Sequence, residues 1–160
     1  MMQQTLWGEL DFLIVDLPPG TGDIHLTLSQ KVKLVGAVIV TTPQDIALAD
    51  VRKAIEMFGK VDVPIVGLIE NMATFICNQC GCETKIFGSG GGEKLASEYG
   101  LSLLGTLPLE SPSSTEVNIE DPQQMLIRSD AIVREYDRRV NGVLDHANRS
   151  RALDTEVVFE

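Results

Sequence analysis

The sequence predicts an α/β fold in which a mostly parallel sheet is covered by helices on both faces. Four short runs are apolar throughout, which is typical of strands buried on both faces of a parallel sheet. Segments with apolar residues at helical spacing separate these runs, as expected where helices connect parallel strands. The predicted strands are Phe12–Val15, Val35–Val40, Ile65–Ile69 and Leu103–Leu107.

The helices are predicted in the same order. Ile24, Leu28 and Val32 repeat at every fourth position and indicate the first helix. Asp45, which follows Pro43, is the predicted N-cap of the second helix. The third and fourth helices are predicted at Gly92–Tyr99, closed by Gly100, and at Ser129–Ala147.

Two segments interrupt this alternation. Met72–Gly92 is rich in cysteine and glycine and predicts an ordered functional loop with a short hairpin. Glu110–Gln124 carries Ser-Pro-Ser-Ser and Asp-Pro and predicts an irregular connection. We expect one domain over residues 1–148, with the cysteine-containing loop inserted at 72–92, and a loosely held tail over residues 149–160.

The composition limits the classes of function. The 160 residues carry a formal charge of −10, with 44% apolar and 22% charged residues. Such a chain gains nothing from the electrostatics of non-specific nucleic-acid binding, so we expect no nucleic acid as partner. It has no apolar run of the roughly 18 to 20 residues that a membrane span needs, and no secretory signal. With three clustered cysteines that do not suggest a secreted disulfide framework, these features predict a cytoplasmic protein without a membrane partner.

The most informative motif is Asp11–Asp23, Asp-Phe-Leu-Ile-Val-Asp-Leu-Pro-Pro-Gly-Thr-Gly-Asp. Asp16 ends a predicted buried strand at the carboxyl edge of the sheet, where open α/β folds bind ligands. There its carboxylate would hold Mg²⁺ or position an attacking water, and Gly20 would let the backbone approach a terminal phosphate. Asp23 would cap the following helix or join the metal shell. An ordinary strand-end acid followed by a turn is the alternative, and the length of the motif favours a nucleotide site.

The glycine-rich stretch Gly88-Ser-Gly-Gly-Gly-Glu-Lys-Leu does not match the phosphate loop G-x-x-x-x-G-K-[ST]. Glu93 stands where glycine is required, and Leu95 replaces the hydroxyl residue that would bind Mg²⁺. We interpret the stretch as a flexible connection into a helix, or as a surface for a partner.

The sequence Cys77-Asn-Gln-Cys80-Gly-Cys82 is the second sharp signal. A C-x-x-C turn directs two thiolates to one soft metal, and a closed zinc or iron–sulfur site needs about four ligands. Because His25 and His146 are distant in sequence and have no catalytic neighbour pattern, we predict that Cys77 and Cys80 of two chains hold a metal or cluster between them. A redox pair, a mononuclear zinc site and plain buried cysteines are the alternatives. Cys82 is a spare ligand or a bystander.

Polar residues also follow the next two predicted strands. Thr41-Thr42 and Glu70-Asn71 are expected at the same sheet edge as Asp16. An asparagine side chain offers both a donor and an acceptor to the ring of adenine. Taken singly, each pair is typical of an ordinary strand-end turn.

In this order the motifs resemble the Mrp/ApbC family of P-loop proteins, relatives of MinD and ParA that carry iron–sulfur clusters. The resemblance extends from Leu6 to about Leu144. It rests on several collinear motifs: Trp7-Gly-Glu-Leu-Asp-Phe-Leu-Ile-Val-Asp-Leu-Pro-Pro-Gly-Thr-Gly-Asp, Val40-Thr-Thr-Pro-Gln, Glu70-Asn-Met, the C-x-x-C, Ile86-Phe-Gly-Ser-Gly-Gly-Gly and Leu104-Gly-Thr-Leu-Pro-Leu.

The resemblance implies a P-loop NTPase fold of the MinD/ParA type. It also implies an ATP-dependent scaffold that uses Mg²⁺, binds a [4Fe-4S] cluster between the subunits of a homodimer and passes it to apo iron–sulfur proteins. Residues of this chain match the family's positions for catalysis, for the nucleotide and for the cluster. Asp16 and Gly20 match the positions for catalysis, Asn71 and Pro108 match those for the nucleotide, and Cys77 and Cys80 match those for the cluster.

Two features depart from the family pattern. Asn78 replaces the usual proline after the first cysteine. The deviant Walker A loop, which precedes Trp7 in the family, is not in this sequence, nor is the central strand leading into it. Because holding phosphate and Mg²⁺ supplies most of the catalytic power in phosphoryl transfer, we expect this chain alone to hydrolyse ATP poorly or not at all. A fragment, an internal start or a split subunit would explain the difference.

Two other functions are alternatives. A MinD/ParA-like positioning ATPase shares the fold but does not need Cys77 and Cys80. A non-catalytic module would use the C-x-x-C to hold zinc and dimerise.

Overall fold

A computed structural model describes residues 5–6, 8–18, 20–77, 79–110, 140–145 and 147–149. The predicted irregular connection at Glu110–Gln124 lies almost wholly outside these residues, as do most of the predicted helix Ser129–Ala147 and the tail after residue 149. Residues 140–145 and 147–149 are helical. The remaining elements are α1 (Asp23–Lys31), β1 (Ala37–Thr41), α2 (Asp45–Lys60), β2 (Ile65–Glu70), β3 (Phe75–Ile76), β4 (Glu83–Thr84), α3 (Gly91–Tyr99), β5 (Leu103–Thr106) and β6 (Leu109–Glu110).

The main sheet has the strand order β1-β2-β5, and both pairs of neighbours are parallel. Thr41 pairs with Glu70, and Glu70 with Thr106, so the three strands end together. The α/β fold class and three of the predicted strands are therefore confirmed.

The core lies between this sheet and the helices. α2 packs on β1, α3 packs on β2, and the two helices contact each other. Leu48, Ile55 and Phe58 of α2 recur at spacings that place them on one helix face, and all three are buried. Leu68 of β2 and Leu95 of α3 are the largest fully buried side chains.

The start of α2 differs from the prediction. Gln44 is the N-cap, and it makes no side-chain capping bond. Asp45 is the first helical residue, so the predicted N-cap was wrong by one position. Its carboxylate still lies in the first turn, where the helix dipole favours a negative charge.

The predicted strand Phe12–Val15 is not a strand in the structure. Its side chains are between 38% and 89% exposed. β1 is an edge strand bonded only to β2, and no strand in the described ranges pairs with residues 12–15. The prediction failed because an apolar run becomes a strand only where a neighbouring strand satisfies its backbone N–H and C=O groups.

A second, smaller sheet has the order β4-β3-β6. β3 and β4 form an antiparallel hairpin, which confirms the hairpin predicted within Met72–Gly92. β3 also pairs in parallel with β6, and the N–H of Leu109 donates to the carbonyl of Thr74 at 2.7 Å. The hairpin is therefore tied to the strand that follows β5.

The third predicted helix is confirmed. α3 begins at Gly91, one residue before the predicted start, and ends at Tyr99, with Gly100 as a C-cap in the left-handed conformation at φ 65°. The glycine stretch leads into this helix as predicted, and Gly88 is exposed, but Gly91 and Gly92 are buried and so are not part of a flexible connection or a partner surface.

Candidate functional site

Asp16 and Gly20 lie in the irregular segment that precedes α1. Asp16 is exposed and does not end a β-strand, which corrects the placement expected from sequence. Gly20 has φ 98°, a value that L-residues with a side chain rarely adopt, and a Cβ there would meet no atom within 4 Å. Gly22 is the N-cap of α1, and no side chain caps the helix, so Asp23 lies in the first turn without the predicted capping bond.

The carboxyl ends of the main strands bring Asn71 and Pro108 close in the fold. The N–H of Asn71 donates to the carbonyl of Thr41 at 2.7 Å, and the N–H of Leu107 donates to the carbonyl of Glu70 at 2.8 Å. Pro108 follows directly after Leu107. Thr41, Asn71 and Pro108 thus share one sheet edge, as the parallel arrangement predicts.

The side chain of Asn71 is held by its own loop. Its Oδ1 accepts a hydrogen bond from the N–H of Met72 at 2.9 Å, and Met72 has φ 56°. This short turn fixes the amide group.

Glu70 lies at this edge as expected from sequence, but its burial and its bond to the start of α3 were not predicted. Glu70 is 4% exposed, and its Oε2 accepts a hydrogen bond from the N–H of Gly92 at 2.5 Å. The bond places a negative group at the N-terminus of α3, where orphan N–H groups and the helix dipole favour it. An acid at a strand end, followed by a glycine run that opens a helix, was the available signal.

The close approach of α3 to the elements around it explains why glycines open this helix. A Cβ on Gly92 would lie 2.9 Å from Glu70 Oε2 and 3.1 Å from Leu68 Cδ2. A Cβ on Gly91 would lie 2.7 Å from Leu48 Cδ1 and 2.9 Å from the carbonyl oxygen of Pro43. The absence of side chains lets the helix start approach the sheet edge closely.

His25, which has no catalytic neighbour pattern in the sequence, is buried in α1. Its Nδ1 and the hydroxyl of Thr42 have no hydrogen-bond partner among the described residues. The side chain of His146, the second histidine, lies outside those residues.

The cysteines lie at the tip of the β3–β4 hairpin, which with the connecting residues 77–82 we call the cysteine hairpin. The N–H of Gly81 donates to the carbonyl of Cys77 at 2.8 Å, and the N–H of Cys77 donates to the carbonyl of Cys82 at 3.0 Å. Gly81 adopts φ 69°, which closes the turn. Cys77 is half-buried, Cys80 and Cys82 are exposed, and all three are free thiols.

Metal ligands are not gathered into a closed site within the part of the chain that the structure describes. No group of three or more His, Cys, Asp or Glu residues there is placed to hold an ion. A soft metal on Cys77 and Cys80 would therefore need ligands from another molecule, since closed sites take about four. Asp16 likewise has no described pair of acids beside it with which to bind Mg²⁺.

An ion pair links the two helices that cover the sheet. Arg52 of α2 donates to both carboxylate oxygens of Glu98 of α3, at 2.8 and 3.3 Å. This hydrogen bonding lowers the pKa of Glu98 and raises the pKa of Arg52. The pair holds α2 and α3 together at the surface.

A parallel α/β sheet with polar residues at its carboxyl edge defines the class of open nucleotide-binding folds. The sequence model of the ParA family, described as NUBPL iron-transfer P-loop NTPase, matches residues 1–144. This chain belongs to that family.

Named relatives and a solved structure agree with this assignment. Iron–sulfur cluster carrier proteins of Pseudomonas fragi and Escherichia coli are each 59% identical to this chain over 109 residues, which are 68% of it. The iron–sulfur cluster transfer protein NUBPL of Mus musculus is 53% identical over the same length. The chain spans 38%, 30% and 34% of these three relatives, respectively.

The solved structure is a nucleotide-binding protein from Archaeoglobus fulgidus in complex with ADP, with cobalt found. It is 36% identical, with a TM-score of 0.53, and the match covers 94% of this chain and 49% of that one. In the described residues, no helix is long and apolar enough to cross a membrane.

Proposed function

We propose that this chain is an iron–sulfur cluster carrier that binds a [4Fe-4S] cluster between two copies of itself and passes it to apo-proteins. The observation that supports this most directly is the cysteine hairpin, which presents Cys77 and Cys80 as free thiols on an ordered turn. Membership of an iron-transfer family supports the same role. Two such turns would supply the four thiolates that a cluster of this type takes.

The position of the thiols suits transfer as well as binding. A ligand pair on an exposed turn can be approached by the thiolates of a recipient protein, which would replace Cys77 and Cys80 at the iron atoms one by one. Each replacement exchanges one thiolate for another, so the cluster keeps its charge and ligand number. Exposed free thiols persist in a reducing compartment, which supports a cytoplasmic location.

We further propose that a nucleotide binds at the carboxyl edge of the main sheet. Asn71 and Pro108 would contact its base, and Asp16 and Gly20 would serve its phosphates and Mg²⁺. The common edge shared by Thr41, Asn71 and Pro108 supports the base contacts. Because Asp16 is exposed and lacks neighbouring acids in the described ranges, we expect ATP turnover by this chain alone to be poor. A steady-state ATPase assay with normal turnover would contradict this expectation.

Anaerobic reconstitution with ferrous iron and sulfide tests the carrier function. We expect a brown protein with broad visible absorption that elutes as a dimer on a sizing column. Cys77→Ser and Cys80→Ser should each lose the colour and the dimer. Cys82→Ser is the matched control, since it removes a thiol from the same hairpin, and it should load normally. A colourless wild-type chain that retains about one zinc ion per two chains would overturn the proposal.

A further inference from the structure

The hydrogen bonds of the cysteine hairpin join Cys77 to Cys82 across the two strands. Phe75 pairs with Thr84 and Ile76 with Glu83, which are the last regular pairs of the hairpin. Beyond them the N–H of Cys77 donates to the carbonyl of Cys82, while the N–H of Gly81, at φ 69°, donates to the carbonyl of Cys77, so that a β-bulge of two residues faces Cys77. Residues joined by a backbone hydrogen bond across antiparallel strands have Cα atoms about 5.5 Å apart. Disulfides bridge Cα separations of about 4.4–6.8 Å. The backbone therefore holds these two cysteines within disulfide reach.

Cys80 is placed differently. It lies inside the turn closed by the bond from the N–H of Gly81 to the carbonyl of Cys77, and it has no cross-strand partner in the register of β3 and β4. Among the three cysteines, it is Cys77 and Cys82 that a cross-strand backbone hydrogen bond joins.

From this alignment we propose that Cys77 and Cys82 form an intramolecular disulfide when the metal-free chain meets a small-molecule disulfide such as oxidised glutathione. The thiolate of Cys82, the more exposed of the two, attacks one sulfur of the reagent and releases one glutathione thiolate. The thiolate of Cys77 then attacks the Cys82 sulfur of this mixed disulfide and expels the second glutathione thiolate. Two electrons pass from the cysteine sulfurs to the reagent, and the two cysteine protons end on the two glutathione thiols.

This disulfide would regulate the site of the proposed function. It withdraws Cys77 from cluster binding and leaves Cys80 as a single thiol, so an oxidised chain cannot supply two thiolates. That consequence rests on the proposed carrier function, whereas formation of the disulfide does not. The switch depends on Cys82, for which the C-x-x-C pattern alone provides no role.

Differential alkylation of the full chain tests the pairing. The metal-free protein is treated with one equivalent of oxidised glutathione, which the intramolecular disulfide consumes in full, and its remaining thiols are blocked with N-ethylmaleimide under denaturing conditions. It is then reduced, labelled with iodoacetamide and digested with trypsin, which leaves all three cysteines on the peptide Val61–Lys85. We expect the maleimide on Cys80 only, and the second label on Cys77 and Cys82. Maleimide on Cys77 or Cys82, or on all three, would overturn the pairing, as would a disulfide-linked dimer on a non-reducing gel.

A matched variant separates this pairing from its alternatives. Cys80→Ser keeps both Cys77 and Cys82 and should still lose two thiols on oxidation, whereas its failure to do so would contradict the proposal. Loading with iron and sulfide then tests the regulation. Oxidised wild type should not load until dithiothreitol is added.

The failures are distinguishable. If reduced wild type does not load, the carrier function fails while the mapped disulfide stands. If oxidised wild type loads as fully as reduced protein, the regulation fails.

Discussion

Two apolar segments of this chain each end in an acid, and they differ in almost every other respect. Residues 12–15 precede Asp16, are exposed and belong to no strand. β2, which ends at Glu70, is bonded to β1 on one side and to β5 on the other, and its Leu68 is 0% exposed. An apolar segment of this chain is therefore buried where neighbouring strands and helices cover it. β2 has strands on both edges and α3 above it, and residues 12–15 have neither in the described structure.

The two acids differ for the same reason. Glu70 is buried and bonded to the N–H of Gly92, because the end of β2 lies against the start of α3. Asp16 is exposed, since no described helix start or strand end encloses it. A structural role therefore falls to Glu70, while Asp16 keeps only the role that the family resemblance implies.

The largest effect should appear in amide hydrogen exchange. Amides of β2 should exchange only through openings that approach the free energy of global unfolding, roughly 5–15 kcal/mol for a domain. Amides of residues 12–15 should exchange with almost no protection, because no ladder bonds hold them. Exchange followed by NMR or mass spectrometry measures both segments in one sample. Equal protection would mean that residues 12–15 form a strand in solution.

Truncation of one side chain from each segment is the next test. Leu68→Ala should lower the free energy of unfolding by about 2–5 kcal/mol, because it leaves a cavity in a fully buried position. Ile14→Ala is the matched control, and it should change the stability by no more than about 0.5 kcal/mol, since Ile14 is 89% exposed. Urea unfolding gives both values. A large loss for Ile14→Ala would show that this side chain is packed in solution.

Local patterns predicted much of the fold. The parallel strand ends at one edge, the closure of α3 at Gly100 and the hairpin near the cysteines all follow from periodicity or turn residues. What escaped prediction depends on contacts between distant segments. The bond from Gly92 to Glu70 joins residues 22 positions apart, and the hydrogen bond from Cys77 to Cys82 depends on how the two strands of the hairpin meet.

The candidate site was predictable to a smaller extent. Asn71 and Pro108 share the expected edge, because parallel strands bring their carboxyl ends together. Asp16 was expected there too, and that expectation depended on residues 12–15 being a strand. The nucleotide and cluster roles of these residues stay predictions.

A substitution at the start of α3 tests how closely this helix approaches β2. Gly92→Ala should destabilise the fold by about 1–3 kcal/mol, because the new Cβ would lie 2.9 Å from Glu70 Oε2 and 3.1 Å from Leu68 Cδ2. Thermal and urea unfolding measure the change.

Gly59→Ala serves as the control for this substitution. Gly59 is also helical, in α2, but a Cβ there would meet nothing within 4 Å. The alanine should therefore stabilise the protein by about 0.5–1 kcal/mol. Equal effects at the two positions would show that α3 does not approach the sheet as closely as described.

The smallest expected effect on stability concerns the ion pair Arg52–Glu98, which links α3 to α2. Hydrogen bonding to Arg52 lowers the pKa of Glu98 in the folded state. The pair therefore adds stability at a pH above the ordinary glutamate pKa, and this contribution is lost as the pH falls through the lowered value. Glu98→Gln should remove that part of the acid dependence of unfolding, and so should Arg52→Gln.

The effect should be modest because the two side chains are 40% and 49% exposed, and added salt should weaken it further. The double variant provides the control. If the two groups act only on each other, Arg52→Gln with Glu98→Gln should follow the same pH profile as either single variant. A further loss of acid dependence in the double variant, compared with Arg52→Gln alone, would show that Glu98 is stabilised by a group other than Arg52.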